Sequence, residues 1–77
     1  MKLKERFSKN FAVALASNGL EQKDIAKALG VSNAMISKYA NAEKLPSVEK
    51  LILISKMLGV SIDALLTKDL SEKVKRC

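Results

Sequence analysis

The sequence predicts an all-α fold, a single domain of five short helices. A chain of 77 residues is long enough for one compact core and too short for two. Apolar residues recur with helical spacing, and no segment shows the alternation of β-branched residues that is typical of strands. Three glycines and one proline divide the chain into segments of ordinary helix length.

The first predicted helix covers residues 3–17, because apolar side chains recur every four residues along it. This stripe consists of Leu3, Phe7, Phe11 and Leu15. Asn18 and Gly19 then end the helix, since glycine readily adopts the left-handed conformation that follows a helix.

The second and third predicted helices, residues 22–29 and 33–40, are separated by only three residues. Gly30 ends the second helix, and Ser32 is the predicted N-cap of the third because its hydroxyl can accept a hydrogen bond from a free backbone N–H. Ala26 is small where the two helices approach each other, and Ile36 and Tyr39 turn inward from the third helix. This arrangement is typical of a helix-turn-helix unit.

The last two predicted helices cover residues 48–58 and 62–66. Pro46 and Ser47 form a helix start, Gly59 ends the fourth helix, and Ser61 repeats the capping pattern before the fifth. We therefore expect one domain over residues 1–67, followed by a charged C-terminal tail over residues 68–77.

The composition argues against catalysis. Histidine is absent, the one cysteine is Cys77, and there is no glycine-rich phosphate loop, so we expect no enzyme activity, metal site, cofactor or small-molecule substrate. No apolar run approaches the ~20 residues of a membrane span. A single cysteine fits a reducing compartment, and the expected location is cytoplasmic.

The charge balance favours a polyanionic partner. Lysine and arginine number 14 against 8 acidic residues, a net charge of +6. Nucleic acid is the preferred partner. A membrane surface is a poor alternative, because the lysines are spread over all helices rather than placed opposite one apolar stripe.

One ordered set of residues resembles a known family. The set begins with Gln22, Ile25, Ala26, Gly30, Val31, Ser32, Ile36 and Ser37, and continues through Leu45-Pro46-Ser47 to Leu65-Leu66. It resembles the Cro/CI-type helix-turn-helix family, also called XRE-type or lambda-repressor-like, over roughly residues 7–66. The resemblance implies a five-helix lambda-repressor-like bundle that regulates transcription, with its third helix in the major groove of DNA.

The outward side of that third helix carries the candidate base contacts. Asn33 and Ser37 lie one turn apart, as do Ala34 and Lys38, so the four share a face. Asn33 suits adenine, Ala34 can touch a thymine methyl group, and Lys38 can reach either a guanine edge or a phosphate.

The candidate phosphate contacts are Gln22, Ser32, Asn41 and Lys44. Gln22 begins a helix, where free N–H groups favour an anion, and the resemblance implies the same role for the loop after the third helix. In that loop Ala42 replaces the glycine usual in the family. A different path of the loop would remove the phosphate contacts that the resemblance implies for Asn41 and Lys44.

Ile52, Leu53 and Met57 are apolar residues outside the family template, and we expect them to form a two-fold interface together with Leu66 and the tail. The expected partner is therefore a second copy of the chain, in a homodimer on a roughly palindromic site in double-stranded DNA. Alternatively, these residues cover the first helix or the tail. A protein-interaction or antitoxin-like module that uses the same fold is the competing functional interpretation.

Overall fold

The computed structural model describes residues 3–70, and this part of the chain contains five α-helices and no β-strand. The helices are α1 (Leu3–Asn18), α2 (Gln22–Leu29), α3 (Asn33–Ala40), α4 (Val48–Leu58) and α5 (Ile62–Thr67). The predicted all-α fold is confirmed. The limits of α2, α3 and α4 are as predicted, while α1 and α5 each end one residue later.

The core is built around α1, which packs against α3, α4 and α5. Phe7 and Phe11 of α1 are fully buried, and their rings stack with centroids 5.3 Å apart. α2 packs against α3 and α4, so the two helices of the predicted helix-turn-helix lie against each other and against the rest of the domain. The other fully buried apolar side chains are Ile25, Ile36, Ile54 and Leu65.

The predicted apolar stripe of α1 is wrong at its first position. Leu3 is 42% exposed, although Phe7, Phe11 and Leu15 are buried as expected. Leu3 is the first residue of the helix, one turn before Phe7, and it is not among the side chains that pack against the core. Spacing alone identifies a face of a helix, but not how far along that face the core reaches.

Three helices begin with a serine cap, as the sequence predicts. The hydroxyl oxygens of Ser32, Ser47 and Ser61 each accept a hydrogen bond from a backbone N–H three residues later, at 3.1, 3.4 and 3.1 Å. α2 lacks a serine at this position. There the carboxylate of Asp24 accepts a hydrogen bond from the backbone N–H of Glu21 at 2.8 Å, so one of the free donors at the start of α2 is still paired.

The end of α3 has the same geometry as the helix ends that carry glycine. After α2, Gly30 has φ 70° and Val31 N–H reaches back to the carbonyl of Ala26 at 3.0 Å. After α3, Ala42 has φ 63° and Glu43 N–H reaches back to the carbonyl of Lys38 at 2.9 Å. Both are Schellman ends, but at the second an alanine occupies the left-handed position that glycine normally fills.

Asn10 joins α1 to the end of α5 from inside the protein. Its side chain is fully buried, and its Nδ2 lies 2.7 Å from the carbonyl oxygen of Leu65 and 2.6 Å from that of Lys68. A third carbonyl, that of Ala64, lies 3.1 Å away. The Oδ1 atom accepts a hydrogen bond from Leu70 N–H at 3.1 Å. One buried side chain therefore pairs backbone groups that helix geometry leaves free at the end of α5.

The first residues of the predicted tail pack on the domain. Leu70 is partly buried against the core, and Arg6 lies 3.7 Å from Asp69. The rest of that tail, including Cys77, lies outside the described residues. No helix within residues 3–70 is long and apolar enough to cross a membrane.

Candidate nucleic-acid interface

The turn between α2 and α3 is held by hydrogen bonds on both sides. Gly30 provides the left-handed residue, and the Val31 N–H bond to Ala26 closes the end of α2. Ser32 then caps α3 through Met35 N–H. Because all of these contacts are short-range, the sequence from residue 22 to residue 40 encodes this sharp turn locally, and it determines how α3 projects from the domain.

The inner side of α3 is anchored in the core. Ile36 is fully buried and Tyr39 is 2% exposed. The hydroxyl of Ser8 on α1 donates a hydrogen bond to the carbonyl of Ala40, which attaches the end of α3 to the first helix. Burial raises the pKa of the Tyr39 phenol above its ordinary value of 10.0, so this ring is uncharged at neutral pH. α3 is therefore held on one side and free on the other.

The free side of α3 contains all four predicted base-contacting residues. Asn33, Ala34 and Lys38 are exposed, and Ser37 is half-buried. At 100° per residue these positions span about 140° of the helix circumference, on the side opposite Ile36 and Tyr39. This surface consists of two short polar side chains, one methyl group and one lysine, and none of the four is fully buried.

The dimensions of this face suit a DNA groove. A helix of eight residues is about 12 Å long, and a helix with its side chains is 10–12 Å wide, which matches the ~12 Å width of the major groove. Ala34 has no side chain beyond Cβ, so nothing there holds the helix away from a base edge. Asn33 and Lys38 lie to either side and carry amide and ammonium groups, which are able to form hydrogen bonds with base edges.

The predicted phosphate-contacting residues are all on the surface. Gln22 and Ser32 are exposed at the N-terminal ends of α2 and α3, where backbone N–H groups are available to an anion. Ser32 uses its oxygen as the cap, and its hydroxyl proton can still be donated to a phosphate oxygen. Asn41 and Lys44 are exposed just after α3. With Ala42 in the left-handed conformation, this loop leaves α3 as it would with glycine.

The predicted dimer residues differ in exposure. Ile52 is 40% exposed and Leu53 46% exposed, whereas Met57 and Leu66 are partly buried against the core. Val48, which sequence reasoning did not single out, is 69% exposed. Its position one turn before Ile52 on the same predicted helix was the available signal.

Three other residues have structural roles that were missed. Asn10 interrupts an apolar stripe three residues after Phe7, which could have indicated a buried polar group. Asp24 occupies the third position of α2, where an acidic side chain can bond back to the N-cap residue. Asn18 donates hydrogen bonds to the carbonyls of Ala14 and Leu58, linking the ends of α1 and α4.

Among residues 3–70, no group of histidine, cysteine or acidic side chains is placed to hold a metal ion.

The five-helix fold and the tight turn between α2 and α3 define a helix-turn-helix protein, and comparison with known families agrees. A family model described as helix-turn-helix matches residues 13–65, from within α1 to within α5. The chain belongs to this family, in its Cro/CI or XRE-type branch. It is similar to repressor protein C2 of Salmonella phage P22, with 42% identity over 53 residues. That match covers 69% of this chain and 24% of the phage protein, so the chain spans about a quarter of that relative's length. No solved structure matches the chain.

Proposed function

We propose that this chain binds double-stranded DNA in a sequence-specific manner and acts as a transcriptional repressor, with α3 in the major groove. The observation that carries the proposal is the exposed face of α3, opposite the buried Ile36 and Tyr39. Membership of the helix-turn-helix family and similarity to a phage repressor support it. The proposed activity is binding rather than catalysis. Its proposed location is the bacterial cytoplasm, where the DNA lies.

Sequence discrimination belongs to the four residues on the free side of α3. Asn33 presents a donor and an acceptor that fit the N6 and N7 atoms of adenine, and such a bidentate contact provides about 1–3 kcal/mol of discrimination. Ala34 contacts a thymine methyl group, and Ser37 can bond to either kind of base edge. Lys38 contacts a guanine edge or the neighbouring phosphate.

Affinity comes mainly from the DNA backbone. Gln22, Ser32, Asn41 and Lys44 contact phosphates, and the net charge of +6 attracts DNA over a longer range. Each neutralised phosphate releases counterions, so binding weakens steeply as salt concentration rises. A homodimer on a roughly palindromic operator places two α3 helices about 34 Å apart, one turn of the duplex.

The proposal is tested by selecting bound sequences from a random DNA pool and measuring affinity by fluorescence anisotropy. We expect Asn33→Ala to weaken binding to the selected site by about 1–3 kcal/mol and to leave binding to random DNA almost unchanged. Equal losses on both DNAs would show that Asn33 does not read a base.

The phosphate role is tested by the salt dependence of the same measurement. Lys44→Ala is expected to weaken binding to all sequences alike and to reduce the slope of log K against log salt by about one. Lys9→Ala is the matched control, because this substitution removes the same charge as Lys44→Ala. Lys9 is exposed on the side of α1 opposite the buried residues of that helix. If both variants reduce the slope equally, net charge rather than a contact by Lys44 explains the effect.

The exposed apolar side chains of α4 favour a second candidate, a protein-interaction or antitoxin-like module. The same experiment separates the two functions. A chain that binds neither random nor selected DNA, even at low salt, would support the interaction module.

A further inference from the structure

The outward face of α4 carries two apolar and two oppositely charged side chains in a symmetric pattern. Glu49, Ile52, Leu53 and Lys56 are exposed and have the i, i+3, i+4, i+7 spacing of a single helix face. The opposite face of α4 holds the buried residues Leu51, Ile54 and Leu58. The outward face therefore has an apolar centre with one acidic end and one basic end.

This pattern is complementary to itself when two helices run antiparallel. A two-fold axis that runs between the two helices, perpendicular to both and level with the midpoint between Ile52 and Leu53, brings Glu49 opposite Lys56 of the second copy, and Lys56 opposite the second copy's Glu49. The same axis brings Ile52 and Leu53 together with Ile52 and Leu53 of the second copy in one apolar layer. Every pair thus joins either two apolar side chains or two opposite charges.

We propose that a second copy of this chain docks on this face, forming an antiparallel α4–α4 pair around that two-fold axis. The opposite arrangement, with the helices parallel, would place Glu49 against Glu49 and Lys56 against Lys56, which is unfavourable. An isologous contact of this kind is closed, so it yields a dimer rather than a filament. As the dimer that engages a palindromic operator, this pair rests on the proposed function, but the contact itself requires no DNA.

The proposed contact is small. α4 has 11 residues and is about 16 Å long, so a single helix pair falls below the 1,200–2,000 Å² buried by typical stable interfaces. The free protein therefore dimerises weakly. Two copies bound to adjacent half-sites are held near each other, and the same weak contact then becomes effective.

The test exchanges the two charges and measures self-association by sedimentation equilibrium up to millimolar concentration. Glu49→Lys and Lys56→Glu each replace both attractive pairs with repulsive ones, so each is expected to weaken the dimer by about tenfold or more. The double variant restores opposite charges at both contacts and is expected to dimerise like the original chain. An equimolar mixture of the two single variants is expected to form a heterodimer, although neither associates alone.

These outcomes distinguish a contact from an effect on folding. Glu49 lies in the first turn of α4 and Lys56 in its last, so both exchanges oppose the helix dipole and the double variant is expected to be the least stable. Recovery of the dimer in that variant cannot result from stability. A chain that stays monomeric at millimolar concentration, or a dimer insensitive to all the exchanges, would overturn the proposal.

DNA binding is measured separately on a single half-site, where one copy suffices. The exchanges leave the α3 face unchanged, and the double variant also keeps the net charge. Failure of the original chain to bind any DNA would contradict the proposed function and leave the α4 pair standing. Binding to a half-site by a chain that forms no charge-sensitive dimer would contradict the α4 pair and leave the proposed function standing.

Discussion

Removal of the buried Asn10 side chain tests how this small domain holds its last helix. Asn10→Ala deletes a fully buried amide that lies within hydrogen-bonding distance of three carbonyl oxygens near the end of α5 and accepts one bond from Leu70 N–H. The amide has two protons, so it satisfies at most two of those carbonyls fully, and the third can only share a proton with one of them. Alanine removes this partner from the carbonyls of Leu65 and Lys68 and from Leu70 N–H, and it leaves a small void, whereas the carbonyl of Ala64 keeps its hydrogen bond from Lys68 N–H at 3.1 Å.

The expected loss is large for a chain of this size. Each hydrogen bond contributes about 1 kcal/mol net, and a buried polar group left unpaired costs about 1–3 kcal/mol. We therefore expect Asn10→Ala to lower the free energy of unfolding by about 3 kcal/mol. At 0.05–0.15 kcal/mol per residue the whole domain has about 4–12 kcal/mol, so the melting temperature should fall by roughly 12–24 °C.

Urea unfolding followed by far-ultraviolet circular dichroism measures this loss. Asn18→Ala is the matched control, because Asn18 is also on α1 and donates to two carbonyls, at 2.7 and 3.1 Å, but is exposed. Water can replace those bonds, so the control should lose about 1 kcal/mol or less. If Asn10→Ala lowers the free energy of unfolding no more than Asn18→Ala does, burial does not strengthen the contribution of the Asn10 hydrogen bonds.

An isosteric substitution separates the hydrogen bonds from the void. Asn10→Asp keeps the shape and the accepting oxygen but, when ionised, places a carboxylate against carbonyl oxygens in the interior. We expect burial to raise the pKa of this carboxyl group above its unfolded value of about 4, so the variant loses stability as pH rises from 4 to 7. A stability difference from the original chain that does not change with pH would contradict this account.

Two further predictions concern the end of α3. Ala42→Gly is expected to stabilise the fold by about 0.5–1 kcal/mol, because the left-handed conformation costs an L-residue about 1–2 kcal/mol and part of that gain is offset by the freer unfolded chain. Gly30→Ala is the reciprocal control and should destabilise the fold because of the left-handed conformation, since nothing lies within 4 Å of the added Cβ. Equal unfolding midpoints for both variants and the original chain would show that the left-handed conformation at these helix ends carries no such cost. Since burial raises the pKa of Tyr39, the folded state holds its proton more tightly and stability falls as pH rises above about 10, the ordinary value. The difference in unfolding free energy between Tyr39→Phe and the original chain should therefore change between pH 9 and pH 11, and a constant difference would count against a buried phenol.

Sequence reasoning was most successful where the determining contacts are local. The serine at residue 32 and the glycine at residue 30 specify the turn through hydrogen bonds that span three to five residues, so both helix limits could be predicted. The free side of α3 followed from helical periodicity once Ile36 and Tyr39 were placed inside. The roles of its four residues toward DNA remain predictions.

Tertiary structure alone decided which positions on a predicted face are covered. Asn10 lies on the buried side of α1, but its partners are 54 to 60 residues away along the chain. Leu3 has the correct spacing and is nevertheless exposed, whereas Leu66, which we predicted at a dimer interface, packs on the core. Capping and periodicity depend on neighbours within about one turn, which the sequence contains directly. Burial depends on where distant helices end, and that is determined only when all five pack together.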